Sequence, residues 1–136
     1  VHSIDIAKLI FEEGWNRQEF GNVQRLLTDE FPLHVGGHTR ITDGDEFAKI
    51  VGAWHAAFPD LRFEIHSITG DDRMAAVRAT LHGTHKGPWG DLAPTGRSIA
   101  VEHAFFLSIE DGLVTEVWEI LDRSVLDTQL KSDQVT

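Results

Sequence analysis

The hydrophobic pattern of this chain changes period at Pro59-Asp60, and that switch constrains the fold more than any other feature. Upstream, apolar residues recur at helical spacing. Phe47, Ile50, Val51, Trp54 and Phe58 line one side of a helix that opens on a capping box, Asp43 with Glu46. Ile6, Leu9, Ile10 and Phe11 predict an earlier helix, with Ser3 as its cap and an interruption from Gly14 to Gly21. Phe20, Val23, Leu26 and Leu27 fit a second short helix, and Phe31 to Val35 reads as an extended piece closed by Gly36-Gly37.

Downstream of Pro59 the period is two. Leu61, Phe63 and Ile65 alternate with Arg62, Glu64 and His66, and Gly70-Asp71-Asp72 turns the chain. Met74 to Thr84 follows with Ala75, Val77, Ala79 and Leu81 on one face. After a Gly/Pro loop from Lys86 to Arg97, Ile99, Val101, His103, Phe105 and Leu107 alternate in a third strand. Asp111-Gly112 then signals a hairpin into a fourth strand, Leu113 to Leu121. Ser124 is placed to cap a last helix with Val125, Leu126 and Leu130 inward, and the polar tail from Lys131 is expected to fray. Helices first and strands in hairpin order afterwards predict α+β with a mostly antiparallel sheet, not alternating βαβ units. The 136 residues suffice for one core, so residues 1–136 are read as a single domain. The early helices are the natural cover for the open face of a curved sheet, with a pocket between.

Composition removes several function classes. Twelve Lys and Arg against twenty-two Asp and Glu leave a net charge of −10, which repels phosphate backbones and anionic membranes, so neither nucleic acid nor membrane is expected as a partner. The chain has no Cys, hence no disulfide, thiolate ligand or Cys nucleophile, and no Tyr to act as a phenolic acid. No apolar run spans a membrane, and Val1-His2-Ser3-Ile4-Asp5 carries no export signal, so a cytoplasmic protein is expected. The chain opens without Met, so residues upstream could have been removed. His82 and His85 are three apart on an extended segment and face opposite ways; His34 and His38 are separated by Gly36-Gly37. No four-ligand set is visible, and no metal is expected. The glycines from Gly83 to Gly96 are followed by no helix and so make no phosphate cradle.

Two polar residues break apolar faces. His103 is either a core histidine satisfied locally or a pocket group able to give and take a proton. Glu119 stands between Val117 and Leu121; if that face is inward, an apolar wall favours the neutral carboxyl, as acid/base work near neutrality requires. If it is outward, Trp118 is in the core instead. Asp122 lies just beyond the strand, where capping the last helix is its simplest role. Arg78 is a candidate partner for an anion or carbonyl. Trp54 and Phe58 are core or ligand-platform residues, and Trp89, in the Gly/Pro loop, is the aromatic best placed to touch a ligand. Ala100, Ala104, Phe106, Trp118 and Ile120 would make an outer sheet face apolar enough to predict a homodimer or homotetramer.

The segments Ala57-Phe58-Pro59-Asp60-Leu61, Gly83-Thr84-His85-Lys86-Gly87-Pro88, Ala93-Pro94-Thr95-Gly96-Arg97 and Glu116-Val117-Trp118-Glu119-Ile120-Leu121-Asp122, with Gln129-Leu130, resemble the SnoaL-like polyketide cyclases over nearly the whole chain. The resemblance implies a cone-shaped α+β barrel of the nuclear-transport-factor and ketosteroid-isomerase type, usually oligomeric. It also implies intramolecular aldol ring closure on a hydrophobic carbonyl compound without metal or organic cofactor. The family's acid/base Asp falls on Glu119, counted from Asp111-Gly112, and not on Asp122. Its polar pocket positions fall on His103, Phe105 and Val117, of which only His103 is polar here; this placement favours His103 and Glu119 both facing inward. Trp54, Phe58, Arg78, His34, Trp89 and Asp122 complete the expected substrate contacts. Two alternatives stand beside this reading. One is a domain that only binds an apolar small molecule or dimerises. The other is epoxide hydrolysis or dehydration, which calls for a carboxylate–Arg pair and a Tyr-held water; Arg78 is present and Tyr is not.

Overall fold

The computed structural model describes residues 2–131. Six strands form one sheet: β1 Phe31–Val35, β2 His38–Thr42, β3 Arg62–Gly70, β4 Met74–Thr84, β5 Ser98–Glu110 and β6 Leu113–Leu121. Their order is β2-β1-β6-β5-β4-β3. Neighbours run antiparallel except β1 and β6, which pair parallel from Leu33↔Val117 to Val35↔Glu119. Helices are α1 Ser3–Leu9, α2 Gly21–Gln24, α3 Gly44–Ala57 and α4 Arg123–Lys131, with a π-helical stretch at Ile10–Trp15 continuing from α1. The fold is thus α+β with a curved, mostly antiparallel sheet under the N-terminal helices. No helix among the described residues is long and apolar enough to cross a membrane.

Several local expectations are corrected. Ser3 lies inside α1, buried, and caps nothing; His2 precedes the helix without a side-chain cap. Gly14 does not stop the first helix. The chain winds through it as a π turn. The second helix is only Gly21–Gln24, and Leu27 bridges to Val114 of β6 instead of extending it. His38–Thr42 forms a strand that periodicity misses, because all but Thr42 are exposed and nothing alternates. Asp122, not Ser124, caps α4, and Val125 faces outward while Leu126 and Leu130 are buried. Lys131 is the last residue of α4, and the rest of the tail lies outside the described residues.

The inner face of β5 follows its alternation: Ile99, Val101, His103, Phe105 and Leu107 are all buried. That of β6 follows only in part. Ser108 pairs with Glu116 but Ile109 pairs with Val114, so Thr115 is the extra residue of a bulge. The bulge reverses the pleat, and Val114 turns fully inward in place of Leu113 and Thr115. Over the concave face, Phe11, Phe63, Phe105 and Trp15 meet edge to face at centroid separations of 4.8–5.5 Å. Asn16 closes the edge of β3: its amide donates to the Phe63 carbonyl and its oxygen accepts the Phe63 N–H, as a neighbouring strand would.

The segments that carry the family resemblance dock the loop between β4 and β5 onto the end of α3. The Lys86 and Gly87 N–H groups both donate to the Ala57 carbonyl at 3.0 Å. Thr84 donates to Asp60 from backbone and hydroxyl. His85 is buried, its Nδ1 accepting from the Thr95 N–H, while its own backbone pairs with Arg97 and Gly96. Gly87 has no room for a side chain, since a Cβ would lie 1.9 Å from the Ala56 carbonyl oxygen. By contrast a Cβ on Gly52, inside α3, would meet nothing within 4 Å. Gly87→Ala should therefore destabilise by about 1–3 kcal/mol or more through overpacking, whereas Gly52→Ala should stabilise by up to about 1 kcal/mol through helix propensity. Urea unfolding of the two variants measures both.

Candidate active site

Glu119 and His103 reach one another diagonally across β6 and β5. Phe105 pairs with Glu119 and Leu121 pairs with His103 in the ladder, so both side chains come off the concave face. Glu119 Oε2 lies 3.4 Å from His103 Nε2, with the carboxylate 9% exposed and the imidazole fully enclosed. The ring of His103 stacks on Phe105 and meets the edge of Phe63.

Hydrogen-bond logic constrains the imidazole. Nδ1 lies 3.1 Å from the Val101 carbonyl, which can only accept, so Nδ1 carries a proton and donates it. Nε2 of the neutral ring then presents a lone pair, and it has no aligned hydrogen-bond partner. The group it faces is Glu119. One further proton converts that contact into a bond, whether it rides on the carboxyl or on the ring.

Glu119 also lines a narrow cavity of about 40 Å³ whose other walls are apolar, among them Phe11, Trp15, Ile50, Phe105, Leu107 and Val117. His103 is not on that wall; it stands behind Glu119. Leu33, Ile50 and Glu119 are shared between this cavity and an open groove of about 320 Å³. Glu119 thus sits where an apolar chamber meets a groove with more polar walls. The groove is lined further by Thr39 and Arg40 of β2, Trp54 of α3, Trp89 of the docked loop, and Arg123.

The expected substrate contacts divide accordingly. Phe105 and Val117 line the cavity, and Trp54 and Trp89 the groove, their ring centroids 4.4 Å apart. Phe58 is fully buried beneath them against His85 and Trp89, and is core. Three expectations fail. Arg78 projects from the outer face of β4, 3.8 Å from Glu102, because alternation puts it opposite Val77 and Ala79. His34 is also on the outer side, held by Thr39 and Glu116 and stacked on Trp118. Asp122 is exposed and turned to Ser124, whose backbone N–H and hydroxyl both donate to it. Those hydrogen bonds hold its carboxyl below the usual carboxylate range. Among the described residues, no three His, Cys, Asp or Glu side chains gather as a metal site would need.

Sequence reasoning missed Arg40 and Arg123. Arg40 lies in the unrecognised strand, and Arg123 lies one residue past the motif. Ile10 and Phe11 were legible as helix-face residues, whereas Trp15 fell in the expected interruption; the π turn brings all three onto the cavity.

Fold and cavity together define a small α+β barrel with an apolar chamber and one buried carboxylate in its wall. The chain belongs to the SnoaL-like polyketide cyclase family, which it matches over residues 5–130. Among solved structures, a candidate SnoaL-like polyketide cyclase from Jannaschia sp. CCS1 superposes with a TM-score of 0.84 at 20% identity, covering 96% of this chain and 92% of that one. A candidate polyketide cyclase from Acidithiobacillus ferrooxidans gives 0.81 at 23%, covering 93% and 92%. AclR from Streptomyces galilaeus, described as a candidate hydroxylase, gives 0.77 at 24%, covering 94% and 96%. No curated protein matches the chain.

Two measurements check this geometry. Nitrogen-15 NMR of His103 should show the neutral ring protonated at Nδ1, and a Nε2–H ring would remove the basis for the shared proton. Asp122, with its folded-state carboxyl depressed, stabilises the fold above the unfolded carboxyl value of about 3.9. That contribution is lost as pH falls through the lower folded value. Asp122→Asn should accordingly flatten the acid side of the stability profile, measured by thermal melts at stepped pH.

Proposed function

We propose that this protein catalyses proton transfer at a carbon alpha to a carbonyl, leading to aldol-type ring closure of a hydrophobic compound. The observation that carries the reading is the Glu119–His103 pair where the apolar chamber meets the groove. Glu119, as carboxylate, removes the alpha proton and leaves an enolate. The enolate carbon then attacks a second carbonyl of the same molecule, and the resulting alkoxide takes a proton back. No atom is gained or lost. His103, which contacts Glu119 rather than the chamber, acts as a positioning residue that takes up or returns the proton. Family membership and the structural neighbours named as polyketide cyclases support acid/base chemistry of this class, whereas the neighbour described as a candidate hydroxylase does not bear on it.

The alternatives are weighed by the same geometry. Epoxide opening asked for Arg78 beside the carboxylate, and Arg78 lies on the other side of the sheet. A pure binding role is favoured by a chamber wall with a single polar residue, and mutation separates it from catalysis. Glu119→Gln keeps shape and hydrogen bonding but accepts no proton at neutral pH. It should lower turnover of a polyketide-type diketone about 10²–10⁴-fold, with the far-UV spectrum and melting temperature essentially unchanged. Asp122→Asn should leave turnover intact. Full activity in Glu119→Gln would sink the assignment, and ligand binding without turnover in either chain would establish the binding role.

Assembly into a homodimer or larger is part of the proposal. Ile120 is 55% exposed on the outer face, beside half-buried Ala104, Phe106 and Trp118. Sedimentation velocity at micromolar concentration should show no monomer as the main species; a lone monomer peak counts against it.

A further inference from the structure

The groove above Glu119 carries two arginines in a chain whose net charge is −10. They are not equivalent. Arg40 is committed, its Nη2 donating to Glu46 at 2.9 Å. Arg123 is not. It makes a long, exposed ion pair from Nε to Asp127 at 4.0 Å, and among the described residues no hydrogen bond reaches its guanidinium. What holds Arg123 in place is the face of Trp89, 5.3 Å from the guanidinium carbon. The helix dipole does not favour the position, because Arg123 opens α4, where a cation meets its positive end. Asp122, the adjacent carboxylate, is occupied by Ser124. An arginine seated over an indole at the wall of a groove, held otherwise by one long ion pair to Asp127 and by no hydrogen bond among the described residues, has donors left to receive an anion.

We propose that the groove selects compounds joining an aromatic or otherwise apolar body to one anionic group, a carboxylate being the simplest, and that Arg123 sets this preference. The inference rests on reading the cavity and groove as the substrate site. The apolar body would lie across Leu33 and Ile50 toward the chamber. The anion would stay with Arg123 on the groove wall. Trp54 and Trp89 supply the flat walls for the part between.

Two matched fluorescent probes test it: anilinonaphthalene sulfonate, and phenylnaphthylamine, which has the same rings without the sulfonate. Titrated into the intact chain at fixed salt, the sulfonate should bind about tenfold more tightly than the uncharged probe. Arg123→Gln should bring the two affinities within about twofold, by weakening the sulfonate alone. Arg78→Gln, on the outer face of β4, should change neither and controls for general loss of positive charge. Equal affinities in the unaltered chain, or a sulfonate preference that survives Arg123→Gln, overturn the proposal. Binding of the uncharged probe alone overturns it and leaves the pocket standing, whereas binding of neither overturns both. Glu119→Gln should retain the sulfonate preference, so failure of the catalytic assignment is read separately.

Discussion

A sheet with an apolar concave face cannot leave that face in water, and the way this one is covered organises the rest of the molecule. Val77, Ala79, Leu81, Val101, Phe105 and Leu107 are drawn in on the strands. Phe11 and Trp15 come down on them from the first helix, and α4 packs Leu126 and Leu130 over the far end. The cover is incomplete at one place. There the π-helical stretch, β1 and α3 leave a chamber instead of filling it, and the only polar residue in its wall is Glu119. Burying a carboxyl is costly unless it is paired, and among the described residues its partner is His103 at 3.4 Å. Packing and chemistry are therefore the same problem here: the curvature that makes the chamber is what presses the two polar side chains together.

The family segments have a mechanical role in that arrangement. Gly83, Thr84, His85 and Gly87 hold the β4–β5 loop against the last turn of α3, with Asp60 and the Ala57 carbonyl as anchors. The docked loop carries Trp89, and Trp89 carries Arg123. A motif that touches no reacting atom thus decides what stands at the mouth of the groove. This explains how such segments can mark a family while saying little about its substrates.

The change of hydrophobic period at Pro59, the alternation through His103 and the Asp111-Gly112 hairpin are local properties of the chain, and they determined the fold class, four of the strands and the long helix α3. They also singled out His103 and Glu119, since a polar residue within an alternating apolar face is visible wherever the period is regular. The direction in which Glu119 points was not local. Both faces of β6 are half apolar, and only its pairing with β5 and the bulge at Thr115 choose between them. Likewise His34, Arg78 and Asp122 are chemically suitable residues whose side chains the sheet and the α4 cap turn away from the chamber. Strand β2 was silent because an exposed edge strand has no hydrophobic pattern to show. Arg123 became significant only when folding laid it on Trp89, residues far apart in the chain, and no periodicity encodes a contact of that kind.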